Sequence, residues 1–246
     1  MNNVLKQIYA NNVVETVDGT KIKLEDNIPM GEGLFLQDII NSLKPANSLE
    51  VGFAYGTSTL FICESLEMVN AKKHLLIDPY QRTLWKGIGI KNIKEAGYEN
   101  IIELIEEPSE LALPKLLENK THIDFAFIDG WHTFDQTLLD FYYINRMLNL
   151  NGVVAFDDTD WSSIYKVCCY VSRYPCYRVL SYWPERKDEP VWFEIAMTAF
   201  YKATALYKAA NKSRYLENDL TIHRRRCVAF QKVQADTRNY DWFQEF

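Results

Sequence analysis

Glu50-Val51-Gly52-Phe53-Ala54-Tyr55-Gly56-Thr57-Ser58 is the stretch that decides how this chain is built. An apolar strand over residues 48–51 runs into it, and a helix over residues 57–69 runs out. Glycine tolerates the dihedrals of so tight a turn and lets the backbone approach a ligand closely. The helix N-terminus behind it offers free N–H groups to an anion. Ser58 adds a hydroxyl in the first turn, and Glu50 stands two positions before Gly52. The pattern is not Gly-x-Gly-x-x-Gly, so glycine spacing alone leaves the ligand open. Asp78, twenty-two residues after Gly56, ends the next strand, where an acid can accept hydrogen bonds from ribose hydroxyls. Together these features point to a ribonucleoside cofactor.

Outward from the turn, strand and helix alternate. Strands are predicted at 74–77, 101–105, 123–128 and 153–156, and helices at 34–43, 84–96, 109–119 and 134–148. The strands are short continuous apolar runs, as in a parallel sheet buried on both faces. The alternation predicts a Rossmann-like, doubly wound α/β fold. Residues 1–33 are polar and read as an N-terminal appendage to a single domain over 34–246. Gly31-Glu32-Gly33 opens the first helix of that domain. The last third reads as strands at 177–182 and 226–233, with an insertion at 184–221 that holds a helical stretch near 192–210.

The formal charge is −6. That argues against sequence-independent nucleic-acid binding, which needs basic groups against phosphates. The one basic cluster, Arg224-Arg225-Arg226, reads as a solvated strand entrance or the flank of a substrate loop. No apolar run is long enough for a membrane span, and the N-terminus lacks a signal core, so a cytoplasmic protein is expected. The five cysteines, odd in number and without Cys-x-x-Cys spacing, read as reduced structural thiols.

Three aspartates end predicted strands: Asp129 the fourth, Asp157 and Asp158 the fifth. If those strands are neighbours, three carboxylates meet at one rim. Like charges so placed repel unless a cation neutralises them, and Mg²⁺ prefers oxygen ligands. His132, in Asp129-Gly130-Trp131-His132, would take a proton from a hydroxyl. Tyr80, Trp131 and Trp161 lie near strand ends and could wall a pocket. Each alone is better explained by core or rim packing.

These residues resemble the class I S-adenosylmethionine-dependent methyltransferases. Within them the chain is similar to the metal-dependent O-methyltransferases of the catechol and macrocin type and to the cephalosporin-hydroxylase-like set. The resemblance covers residues 31–160. It rests on Leu49-Glu50-Val51-Gly52 with Gly56 and Ser58, on Phe127 to His132, and on Gly152 to Asp158. It implies a mostly parallel seven-stranded sheet whose reversed last strand is 226–233. Gly52 and Ser58 would hold the methionine end of S-adenosylmethionine, Asp78 the ribose, and Ser109 the neighbourhood of the adenine, with Glu50, Gly56 and Asp129 also beside the cofactor. Asp129, Asp157 and Asp158 would bind Mg²⁺, and His132 would be the general base. Ala54 departs from the middle glycine of many relatives, and the 184–221 insertion matches nothing in them.

The implied activity is methyl transfer to a hydroxyl of a small molecule, a sugar or other natural product, with no nucleic acid or membrane as partner. Self-association into a homo-oligomer stays open. The alternatives are a metal-independent methyltransferase, an inactive cofactor-binding scaffold and, less favoured for want of Gly-x-Gly-x-x-Gly, a nicotinamide oxidoreductase.

Overall fold

In the computed structural model, residues 1–25, 27–184, 222, 223 and 225–243 are described. The expected insertion, apart from Pro184 at its margin, lies outside them, as does the helix expected near 192–210.

Seven strands form the main sheet: β3 (Asn47–Val51), β4 (Lys73–Ile77), β5 (Ile102–Ile105), β6 (Ile123–Ile128), β7 (Leu148–Phe156), β8 (Tyr177–Trp183) and β9 (Cys227–Lys232). Their order is β5-β4-β3-β6-β7-β9-β8. β3 to β7 pair in parallel, and β9 runs antiparallel to both β7 and β8. The doubly wound sheet with its reversed last strand is therefore as expected. Strand order reverses direction between β3 and β6, which opens a crevice at their carboxyl ends.

Alternation along the strands divides the core in two. Phe125, Phe127, Val153 and Ala155 enter one cluster, with Leu60, Phe61 and Leu66 of α3 (Thr57–Met68). Ala126, Ile128, Val154 and Phe156 enter the other, with Phe141 and Ile144 of α6 (Phe134–Met147) and Val167 and Cys168 of α7 (Ser162–Val171). Both faces are covered, which is why the strands read as unbroken apolar runs. All five cysteines are buried and none is in a disulfide.

The N-terminal segment packs into the first cluster. It forms α1 (Asn3–Asn11) and a hairpin, β1 (Val13–Glu15) with β2 (Lys21–Lys23), and places Leu5, Ile8, Val14, Leu24 and Ile28 in the core. The helix expected from residue 34 starts earlier, as α2 (Met30–Leu43), so the 33/34 boundary falls inside it. Gly33 is needed there because a Cβ would stand 2.2 Å from the Phe61 ring. α1, α7 and the short strands β1 and β2 have no counterpart in the sequence reading. Among the described residues no helix is long and apolar enough to cross a membrane.

α5 (Ser109–Glu118) and α6 enclose Asp140, which is wholly buried. Burial pushes its carboxyl up to about 7, against lowering by Ser109 and Gln136. The folded chain thus holds a proton on Asp140 up to near pH 7, whereas an unfolded aspartate releases it near pH 4. This contribution is fully present below pH 4 and is lost as pH rises to 7. The stability of the wild type relative to Asp140→Asn should fall by roughly 3 kcal/mol between pH 5 and pH 8, measured by urea unfolding. A difference that stays constant with pH would show the carboxyl ionised throughout.

Candidate functional site

The carboxyl ends of β3, β4, β6 and β7 are in register. Val51 pairs with Ile128, and Ile128 with Phe156, so Gly52, Asp129 and Asp157 each lie one residue past a paired row. Hydrogen bonds extend the ladder that far: Gly52 N–H donates to Ile77 O, Asp129 N–H to Val51 O, and Asp157 N–H to Ile128 O. The approach between Gly52 and Asp129 is so close that a Cβ on Gly52 would lie 1.9 Å from Asp129 O. Gly52 also sits at φ +94°. The glycine turn and the aspartate rim are thereby held side by side.

The turn is tightened by Gly56 N–H donating to Phe53 O at 2.7 Å, and Gly56 caps α3 at φ +78°. Side chains from the β4–α4 segment, where α4 is Ile88–Ala96, clamp it from outside. Asp78 Oδ2 accepts from Phe53 N–H, Ala54 N–H and the Gln81 amide, and Oδ1 accepts from Tyr80 N–H. Gln81 also donates to Ala54 O, and Asn92 to Tyr55 O. Asp78 therefore organises the turn, and only Oδ1 keeps room for a further donor.

Glu50 is fully buried beneath the turn. It accepts from the Ser58 and Thr59 hydroxyls and lies 3.0 Å from His74 Nε2. Its carboxylate and the Ser58 proton are committed to each other, so a ligand at the turn would meet the backbone N–H groups of the first turn of α3. Ser109, the first residue of α5, accepts from Gln136 and lies against Asp140.

At the rim, the structure brings together Asp129, His132 and Asp158. One potential ligand atom from each lies within 4.8 Å of the others. His132 Nε2 is 2.9 Å from Asp158 Oδ2 and 3.7 Å from Asp129 Oδ1, off the line of a well-formed hydrogen bond. Asp129 and Asp158 raise the imidazole to about 10, against burial, which lowers it. Its ring lies against Trp161, centroids 5.0 Å apart. Trp131 and Trp161 are exposed.

Asp157 is not part of that group. Its Oδ1 accepts from Asp158 N–H at 2.6 Å, and its carboxyl faces Glu32 and Arg226. Burial raises it, as burial and Asp157 raise Glu32. Arg226 Nε donates to Glu32 Oε2 at 3.0 Å, and its Nη2 is 3.1 Å from Asp158 Oδ1. Glu32 and Arg226 are the site residues that sequence reasoning missed. Glu32 did leave a signal: it lies in the i, i+4 row with Leu36 and Ile40 on the buried face of α2, and an acid in an apolar stripe needs a partner. Arg226 left only the basic cluster before the last strand.

A model of a methyltransferase domain matches residues 49–159. Tapetum-specific methyltransferase 1 of Arabidopsis thaliana is 29% identical over 141 residues, 56% of this chain and 57% of that protein. A caffeoyl-CoA O-methyltransferase of Populus kitakamiensis is 28% identical over 139 residues, 55% of this chain and 56% of that protein. The chain thus matches little more than half the length of these relatives. Among solved structures, the S-adenosylhomocysteine-bound Podospora anserina methyltransferase PaMTH1 superposes with a TM-score of 0.60 at 17% identity, covering 75% of this chain and 85% of that one. The O-methyltransferase from Bacillus cereus, also with S-adenosylhomocysteine, gives 0.59 at 16%, covering 73% and 83%. The resemblance to class I S-adenosylmethionine-dependent methyltransferases is borne out, and the fold is theirs.

Proposed function

We propose that this chain, which carries a methyltransferase domain on the class I fold, moves the methyl group of S-adenosylmethionine to a hydroxyl oxygen of a small molecule. The observation that carries the reading is the contact between the glycine turn and the rim. Gly52 is pressed against Asp129, so a donor seated on the turn would present its methyl beside Asp129, His132 and Asp158.

The N–H groups of the first turn of α3 would receive the cofactor's carboxylate. Asp78 Oδ1 has room for one ribose hydroxyl, and Ser109 lies toward the adenine end. The acceptor oxygen attacks the sulfonium methyl in line, forming an O–C bond as the C–S bond breaks and S-adenosylhomocysteine leaves. The acceptor's proton goes to solvent or to a group at the rim. Much of the acceleration would come from holding oxygen and methyl in contact.

Asp129, His132 and Asp158 supply two oxygens and a nitrogen within reach of one ion, a donor set that fits a divalent cation. Such an ion, when bound, polarises an oxygen and favours its deprotonated form. The exposed Trp131 and Trp161 rings suit an aromatic acceptor, in keeping with the names of the caffeoyl-CoA and flavonoid methyltransferases among the relatives. A sugar acceptor is the other candidate.

Arg226 favours a second reading, a metal-independent methyltransferase, because its guanidinium already sets a positive charge among Glu32, Asp157 and Asp158. Calorimetric titration of the chain with S-adenosylmethionine and with NAD tests the cofactor. Heat is expected with the former alone, and silence with it sinks the reading. A screen of catechols, hydroxycinnamoyl thioesters and sugars, run with and without chelator, then identifies the acceptor and separates the metal-dependent reading from the metal-independent one.

A further inference from the structure

We infer that His74 is a positioning residue for the amino-acid end of the cofactor: through Glu50 it fixes the first turn of α3 in the form that receives a carboxylate. What binds at that turn is taken from the proposed function, on which the inference rests.

Ser48, Glu50 and His74 are wholly buried. Ser48 and Glu50, two residues apart, share one face of β3. His74 pairs with Ser48 from the neighbouring β4. On the other side, Phe125 and Phe127 of β6 are the register partners of Ser48 and Glu50. A carboxyl in such apolar surroundings needs hydrogen-bond donors. Glu50 Oε1 accepts from the Ser58 hydroxyl, and Oε2 accepts from the Thr59 hydroxyl at 2.9 Å. His74 Nε2 stands 3.0 Å from the same Oε2, and Nδ1 stands 2.8 Å from Ser48 Oγ. The imidazole is therefore gripped at both nitrogens, with one of them given to Glu50.

Ser58 and Thr59 belong to the first turn of α3, and no side chain caps that end of the helix. Glu50 draws both hydroxyls into the core. The backbone N–H groups of the same residues have no intrahelical partners and remain for a ligand. Leu60 N–H, which donates to Gly56 O at 2.9 Å, closes the turn behind them. β4 thus holds the glycine turn twice: Asp78 binds Phe53 N–H and Ala54 N–H, and His74 reaches Ser58 and Thr59 through Glu50. Without the imidazole donor, a buried carboxyl is one partner short, and the turn that it anchors is free to shift. Preorganisation of this kind is a large part of affinity.

The test compares His74→Asn with His74→Gln in the full chain. The glutamine amide nitrogen falls where Nε2 stands and keeps a donor to Glu50, whereas asparagine reaches only the place of Nδ1. Titration calorimetry with S-adenosylhomocysteine should show His74→Asn weakened by about tenfold or more, and His74→Gln within about threefold of the wild type. 5′-Methylthioadenosine, which keeps the nucleoside and lacks the amino-acid end, should bind all three chains alike. Should His74→Asn fail to fold, Thr59→Val removes another donor to Glu50 at similar volume and should give the same selective loss. Unchanged affinity in His74→Asn, an equal loss in His74→Gln, or a parallel loss with 5′-methylthioadenosine would each overturn the inference. A wild type that binds no S-adenosylhomocysteine removes the cofactor reading and this inference with it, whereas equal binding by wild type and variants removes this inference alone.

Discussion

Gly52→Ala is expected to unfold the chain or bring it to the margin of stability. The added Cβ would lie 1.9 Å from Asp129 O and 2.6 Å from Asp129 C, both backbone atoms that no side-chain rotation can move. The residue cannot swing aside, because its N–H is bonded to Ile77 O and its φ of +94° already suits glycine alone. Backbone strain costs about 1–3 kcal/mol and overpacking about as much again. The sum, roughly 3–5 kcal/mol, is a large part of the 5–15 kcal/mol typical of a whole domain. Gly97→Ala is the control. It carries a similar φ of +82°, but its Cβ would meet nothing within 4 Å. Urea unfolding should place Gly52→Ala well below Gly97→Ala, and binding of S-adenosylhomocysteine should be lost with it. Equal losses for the two variants would mean that the approach of the turn to Asp129 is not needed.

Asp158→Asn is expected to slow methyl transfer by about 10²–10⁴-fold, because the rim proposed to favour a deprotonated acceptor oxygen loses one of its carboxylates. The substitution keeps the shape and removes the charge that faces His132 at 2.9 Å and Arg226 at 3.1 Å. Arg226 keeps Glu32 and Asp157 as partners, so the fold should tolerate the change. The measurement is kcat with the acceptor returned by the screen, beside the affinity for S-adenosylhomocysteine. The first should collapse and the second hold, because the contacts proposed for the cofactor lie on the glycine turn. A variant with normal kcat would remove Asp158 from the chemistry.

The sheet was legible because its evidence is local. Leu75-Leu76-Ile77 and Phe125 to Ile128 are unbroken apolar runs, and such runs follow from burial on both faces. The methyltransferase-domain match over residues 49–159 spans the same strand–helix alternation. The N-terminal region was less legible. Its helix α1 has a modest apolar face, and its hairpin strands are three residues each, so neither stands out from polar surroundings. Asp78 was found as the acid ending its strand, but not as the clamp of the turn, since its four donors come from the turn and from residues 80 and 81.

By itself the sequence determined the layers and the strand ends at which Asp129, Asp157 and Asp158 stand, because apolar period and turn residues act over a few positions. Only the tertiary structure decided which of these carboxylates share a site. At a strand end successive side chains diverge, so one peptide step separates Asp157, turned to the buried Glu32 of α2, from Asp158, turned to His132. Glu32 comes from one end of the chain and Arg226 from the other, and packing alone sets the two 3.0 Å apart.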